Sequence, residues 1–201
     1  MNHVDNLIER YPTLASVKND IEAAVSTIVS MHKNDGKLLL CGNGGSAADC
    51  EHISGELLKG FLSKRPTTCE ELPGLDPEIV SCLQRGVSAV PLSSLSALST
   101  AFLNDVSPVN TFAQLVYALG KKGDVVLGLS TSGNSANVLN AIKTAKALGL
   151  KTIAFTGMTG GKLLSVADIT IRVPETETYK VQELHLPVYH AICAEVERIL
   201  F

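Results

Sequence analysis

The chain has 201 residues, a formal net charge of −3, a hydrophobic fraction of 45% and a charged fraction of 18%. That balance excludes a disordered polymer and leaves enough chain for one domain with a substantial core. There is no long basic run and no apolar run near the ~20 residues of a membrane span, so neither nucleic acid nor a membrane is expected as a partner.

In chain order, residues 5–34 keep a helical period through Leu7, Ile8, Leu14, Val17, Ile21, Ala24, Val25 and Ile28, with Pro12 set to break or kink the helix. An amphipathic helix ahead of the first strand can pack on a partner subunit or on its own domain. Asp35-Gly36 ends it, and a first strand follows at 37–41. Ser46 with Asp49 three residues on resembles a capping box, which predicts a helix from Ser46 to about Leu62. Residues 63–86 are of mixed character, with turn signals at 72–77 and a short helix predicted behind an Asp76 cap and Pro77.

A modest second strand at 87–92 is demoted to an edge by Pro91. Helices at 94–103 and 108–119, a buried strand at 125–129, a helix from 136 to about 148 and a strand at 151–156 follow. A short helix at 162–166, a fifth strand at 169–173 and a last helix from about 178 complete the pattern. Strands alternating with helices predict a doubly wound α/β fold, a parallel five-stranded sheet covered on both faces and preceded by an additional N-terminal helix. No repeat or linker interrupts it, so residues 1–201 are expected to form a single domain.

Aromatics make up 4% and Trp is absent, so aliphatic side chains must fill the core. The five cysteines, Cys41, Cys50, Cys69, Cys82 and Cys193, are odd in number and form no Cys-x-x-Cys. That argues for reduced thiols in a cytoplasmic protein rather than disulfides or a cysteine zinc site. Met1-Asn2-His3-Val4-Asp5 has neither a basic flank nor an apolar stretch, so no signal peptide is expected. The pairs Lys64-Arg65 and Lys121-Lys122 read as solvated.

Two loops carry chemistry. After the first strand, Gly42-Asn43-Gly44-Gly45-Ser46 brings a flexible backbone and a helix N-terminus to whatever sits in the turn, and His52 and Glu56 follow on one helical face. After the third strand, Ser130-Thr131-Ser132-Gly133-Asn134-Ser135 places four hydroxyls within six residues, with Ser135 predicted as a helix cap. Hydroxyls, a backbone nest and a helix N-terminus together suit a phosphate dianion. The spacing is neither that of a nucleotide P-loop nor of a dinucleotide fingerprint.

These loops, together with the final Val181-Gln182-Glu183-Leu184-His185-Leu186-Pro187-Val188-Tyr189-His190 helix, resemble the sugar isomerase (SIS) domain and, more closely, the sedoheptulose-7-phosphate or phosphoheptose isomerases. The resemblance spans nearly the whole chain and implies a flavodoxin-like SIS fold, a homotetramer and a sugar phosphate substrate. It implies a Zn²⁺ site on His52, Glu56, Gln182 and His190, with Glu56 and His190 as the acid/base pair. Asn43, Gly44, Ser46, Asp105 and Gln182 would touch the sugar, and Ser130, Thr131, Ser132 and Ser135 the phosphate.

Eight helical residues rise about 12 Å, so Gln182 and His190 cannot project at one height from a regular helix. Either Gln182 stands at the helix start or the helix leans across the metal, and His185 is a competing ligand. Asp105 could instead cap a helix. The sequence departs from the family where an Arg often follows the Glu; here Lys59 must stand in, without a bidentate fork. The stretch 69–85 is also longer than the usual connection. The implied reaction converts sedoheptulose 7-phosphate to D-glycero-D-manno-heptose 7-phosphate through an enediolate. The alternative is a non-catalytic SIS protein that senses a phosphosugar or binds a replication initiator.

Overall fold

The computed structural model describes residues 2–201. Five parallel strands, β1 (Leu38–Gly42), β2 (Ala89–Pro91), β3 (Val125–Leu129), β4 (Lys151–Thr156) and β5 (Ile169–Arg172), form one sheet in the order β2-β1-β3-β4-β5. This is the flavodoxin-like order of doubly wound folds. Pro91 cannot donate to a ladder, and β2 accordingly lies at the sheet edge, paired only through Leu38↔Ala89, Leu39↔Val90 and Leu40↔Pro91.

The leading segment is divided at Pro12 as the sequence predicts: α1 (His3–Arg10), a 3₁₀ stretch (Pro12–Val17) and α2 (Lys18–Lys33). Val4, Leu7, Leu14, Val17, Ile21 and Ile28 are buried in the chain's own core, so the apolar positions of this segment are taken up without a partner. The core has two halves. Leu38, Leu40, Leu127, Leu129, Ile153 and Phe155 face α1, α2, α3 (Gly45–Leu58) and α8 (Thr178–Leu200). The alternate residues Leu39, Cys41, Val126 and Ala154 face α6 (Thr111–Leu119) and α7 (Ala136–Ala147), as the period of two along a strand requires. A short α4 (Pro77–Cys82) begins behind Asp76, whose side chain accepts from Glu78 N–H as predicted, and α5 (Ser96–Asp105) buries none of its residues in this chain.

The capping box expected at Ser46 is replaced by a different start. Gly44, at φ +55°, is the N-cap of α3 and offers no side chain, while Ser46 lies inside the first turn and is 3% exposed. The left-handed glycine turns the chain into the helix early, which leaves Ser46 and Asp49 free for tertiary contacts. Helix α3 also ends sooner than expected, at Leu58 rather than Leu62. β1 and β3 are neighbours whose connections leave towards opposite faces of the sheet, so the loops after them open at a topological switch point, where ligands of such folds bind.

Candidate active site

Three side chains meet on the seam between α3 and α8. His52 and Glu56 share a face of α3 through their i,i+4 spacing, with His52 Nε2 3.1 Å from Glu56 Oε1. His190, from α8, places its Nε2 3.4 Å from His52 Nε2. One ligand atom from each of the three lies within 4.8 Å of the others, close enough to surround one cation. Two imidazoles and a carboxylate are a borderline N/O donor set that suits Zn²⁺. Glu56 is half-shielded, its side chain 18% exposed. Burial, and then the neighbouring His52, lower the pKa of His190, which favours the neutral imidazole that can bind a metal or accept a proton. A cavity of about 310 Å³ reaches His190 between α1 and α8 and is also lined by Arg10, Tyr11, Phe61 and Leu62.

Gln182, the fourth ligand the resemblance implies, stands nearer the start of α8 than His190 does. It lies in the second turn of an unbroken α8, and its amide packs so closely on Gly45 that a Cβ there would come 2.6 Å from Nε2. The glycine is what allows α8 to approach the head of α3. Gln182 thus faces the loop after β1, two turns of helix away from His190. His185 is also apart from the cluster: fully buried, it sets Nε2 3.3 Å from Thr156 O and its ring against Phe155, and burial pushes its pKa down to about 4.

The loop after β3 is bonded within itself and to the segment that follows β4, where Gly157 N–H donates to Thr131 O and Lys162 N–H to Asn134 Oδ1. Ser130 Oγ donates to Ser135 Oγ at 2.9 Å and accepts from Ser135 N–H, and Asn134 N–H donates to Ser132 Oγ. Gly133, at φ +66°, makes the reversal that these bonds need. Ser135 is the N-cap of α7 by position, yet its hydroxyl makes no capping bond; it is held by Ser130 instead. Thr131 is half-buried and Ser132 exposed at the lip. Asn43, in the other loop, exchanges two amide hydrogen bonds with Asn137 of α7, at 3.0 and 2.8 Å, and so ties the two loops together. Gly44 sits beside Asn43 at the head of α3. Asp105 closes α5, exposed, and accepts from Asn104 Nδ2, so it caps no helix start.

Several residues were not singled out by sequence. Asn137 lies in the first turn of α7, where a polar residue carries no distinctive signal. Tyr189 sits 2% exposed on α8, its hydroxyl 2.9 Å from His52 Nδ1 and 3.3 Å from Asp49 Oδ1. Arg65, read as solvated, is instead 1% exposed. Its Nε donates to Glu197 Oε1 at 2.7 Å and its Nη1 to Leu57 O at the end of α3, while Glu197 also accepts from Phe61, Leu62 and Ser63 N–H. This clasp fixes the turn that follows Glu56 and seats Phe61 beside His190, ring centroids 5.7 Å apart. Lys59 approaches Glu56 Oε2 to 4.0 Å from an exposed position. The sequence carried no distinctive signal for the clasp, because Glu197 stands with Glu195 and Arg198 in the same turn of the last helix.

The SIS domain family model matches residues 2–157. The phosphoheptose isomerase of Helicobacter pylori is 37% identical over 186 residues, 92% of this chain and 87% of the relative. The phosphoheptose isomerase of a Roseiflexus species is 39% identical over 181 residues, covering 90% and 82%. Among solved structures, phosphoheptose isomerase GmhA from Neisseria gonorrhoeae superposes with a TM-score of 0.78 at 32% identity, covering 98% of this chain and 95% of that one.

Proposed function

The chain belongs to the phosphoheptose isomerases of the SIS-domain family and is a phosphosugar isomerase, and from that premise we propose that it converts sedoheptulose 7-phosphate to D-glycero-D-manno-heptose 7-phosphate. The observation that carries the reading is the meeting of His52, Glu56 and His190 on the α3–α8 seam. A module that only bound a phosphosugar would need the hydroxyl loop and not this trio.

Ketose-to-aldose conversion moves one proton between adjacent carbons and others among the oxygens they bear. Glu56 is the base for the carbon-bound proton, which yields an enediolate, and His190, held neutral by burial, carries protons between the oxygens. When bound at His52, Glu56 and His190, Zn²⁺ would polarise the substrate carbonyl. Ser130, Thr131, Ser132 and Ser135 hold the phosphate at the N-terminus of α7, and Asn43, Gly44, Ser46, Asp105 and Gln182 orient the sugar chain. Gln182, whose amide faces Gly45 and the loop after β1, is taken both as a substrate contact and as the fourth ligand of the metal. Phosphate binding remote from the reacting carbons then supplies orientation.

We take residues 1–201 as one SIS domain, since β5 completes the sheet and α8 packs on its core and supplies His190. We also take it to be a cytoplasmic homotetramer. Its cysteines are free, and Leu62, Val106 and Tyr117 remain 61%, 68% and 67% exposed on surfaces that further copies would cover. No helix among the described residues is long and apolar enough to cross a membrane.

A coupled assay over a panel of ketose phosphates, with and without added zinc, tests the proposal. Turnover of sedoheptulose 7-phosphate that chelation removes and zinc restores is the expected result. No turnover of any heptose phosphate by the zinc-loaded protein would overturn it, and a stable monomer in light scattering would overturn the assembly.

A further inference from the structure

The Tyr189 hydroxyl and Asp49 meet at the Nδ1 edge of His52, while Glu56 and His190 approach its Nε2, and neither Tyr189 nor Asp49 takes part in the proton transfers above; the Tyr189 ring also packs edge-on against His190, centroids 4.9 Å apart. We propose that Asp49 and Tyr189 form a hydrogen-bonded relay that fixes the orientation and the protonated nitrogen of His52, which makes Tyr189 a positioning residue for the metal site. The inference rests on the reading of His52 as a metal ligand.

A phenol has one proton to donate, and an ionised carboxylate can only accept. Tyr189 is the partner of Asp49 Oδ1 at 3.3 Å, and Asp49 Oδ2 is buried with no partner among the described residues, so this carboxylate depends on the phenolic proton. With that proton given to Asp49, the phenolic oxygen accepts at its other contact, from His52 Nδ1–H at 2.9 Å. Nε2 is then the nitrogen whose lone pair serves a cation, and it is Nε2 that lies 3.1 Å from Glu56 Oε1 and 3.4 Å from His190 Nε2. The edge-on packing of the two rings, centroids 5.4 Å apart, holds the imidazole plane in place. Burial pushes the Tyr189 pKa up, so the phenol keeps its proton, and burial raises Asp49 too, against the opposing pull of the Tyr189 bond and of His52. An outer partner of this kind sets the tautomer and basicity of a ligating histidine, and its loss weakens metal binding.

The test separates hydroxyl from ring. In the metal-free protein, nitrogen NMR of labelled histidine at pH 8 should find His52 Nδ1 protonated. Tyr189→Phe keeps the ring packing and should lose that proton, with the protein still folded and melting cooperatively and zinc affinity weaker by about 10–100-fold in competition with a chromophoric chelator. Asp49→Ala, which frees the Tyr189 proton for His52, should give the same shift of the ring proton and the same loss of zinc affinity. An unprotonated Nδ1 in the unaltered protein, or unchanged zinc affinity in both folded variants, overturns the relay. A protonated Nδ1 in a protein that takes up no zinc would overturn the cofactor reading while upholding the relay as the device that sets the tautomer.

Discussion

Between Ser130 and Ser135 the site is contiguous in sequence and electrically neutral; the bonds among its own side chains span five residues or fewer, and the loop after β4 braces it through Gly157 N–H to Thr131 O and Lys162 N–H to Asn134 Oδ1. On the α3–α8 seam it is built from titratable side chains 138 positions apart, brought together only by the packing of two helices. The loop presents several hydroxyls and backbone N–H groups in parallel, so losing one weakens binding by a fraction. The seam divides one proton-transfer task among single residues, so losing one removes a step. Local redundancy suits the recognition of a phosphate, and convergent single groups suit chemistry.

That contrast breaks first at Glu56. Glu56→Gln keeps the shape and an oxygen but removes the base, and should lower turnover by about 10²–10⁴-fold while phosphosugar binding, measured by calorimetry, stays nearly intact. Activity close to the starting level would erase the distinction between seam and loop. The support under the seam comes next. Arg65→Ala leaves the Glu197 carboxylate, 4% exposed, without its ion partner and should cost about 3–5 kcal/mol in chemical denaturation. An effect below about 1 kcal/mol, the usual size for surface pairs, would show the clasp to be ornamental.

A third change concerns the histidine of α8 that points away from the seam. The pKa of His185 is about 4 in the fold against 6.5 when free, so the unfolded chain takes up its proton first as the pH falls. Stability from this residue is complete above pH 6.5 and should be lost progressively towards about pH 4, by about 3 kcal/mol in all. Denaturation at a series of pH values should show this slope in the natural protein and a flatter one in His185→Leu. The smallest effect belongs to the loop. Ser132→Ala should weaken phosphosugar binding by about 1.5–3 kcal/mol and leave the melting temperature in place, since the side chain is exposed and supports only the turn. A loss of catalysis at saturating substrate in this variant would mean that loop and seam are not separable.

Most of what depends on near neighbours along the chain was determined by the sequence alone. Short apolar runs and the period-3.6 pattern placed all five strands and the helices that flank them, Pro12 and Pro91 acted where their missing N–H dictates, and Asp76 with Pro77 began a helix. The hydroxyl loop was legible because its six residues are consecutive. Two caps departed from the sequence reading at short range, Ser46 because Gly44 turned the chain first and Ser135 because Ser130 holds its hydroxyl. Only the tertiary structure decided the rest. Arg65 is buried because Glu197, 132 positions away, meets it at the end of α3. Gln182 and His190 fall at different heights because α8 runs on as one helix through Pro187. Tyr189 became the neighbour of His52 through the packing of α3 on α8. A residue's charge and shape can be read from its letter. Its partner across the fold is set by which helix faces meet, and that is decided by the packing of the whole core.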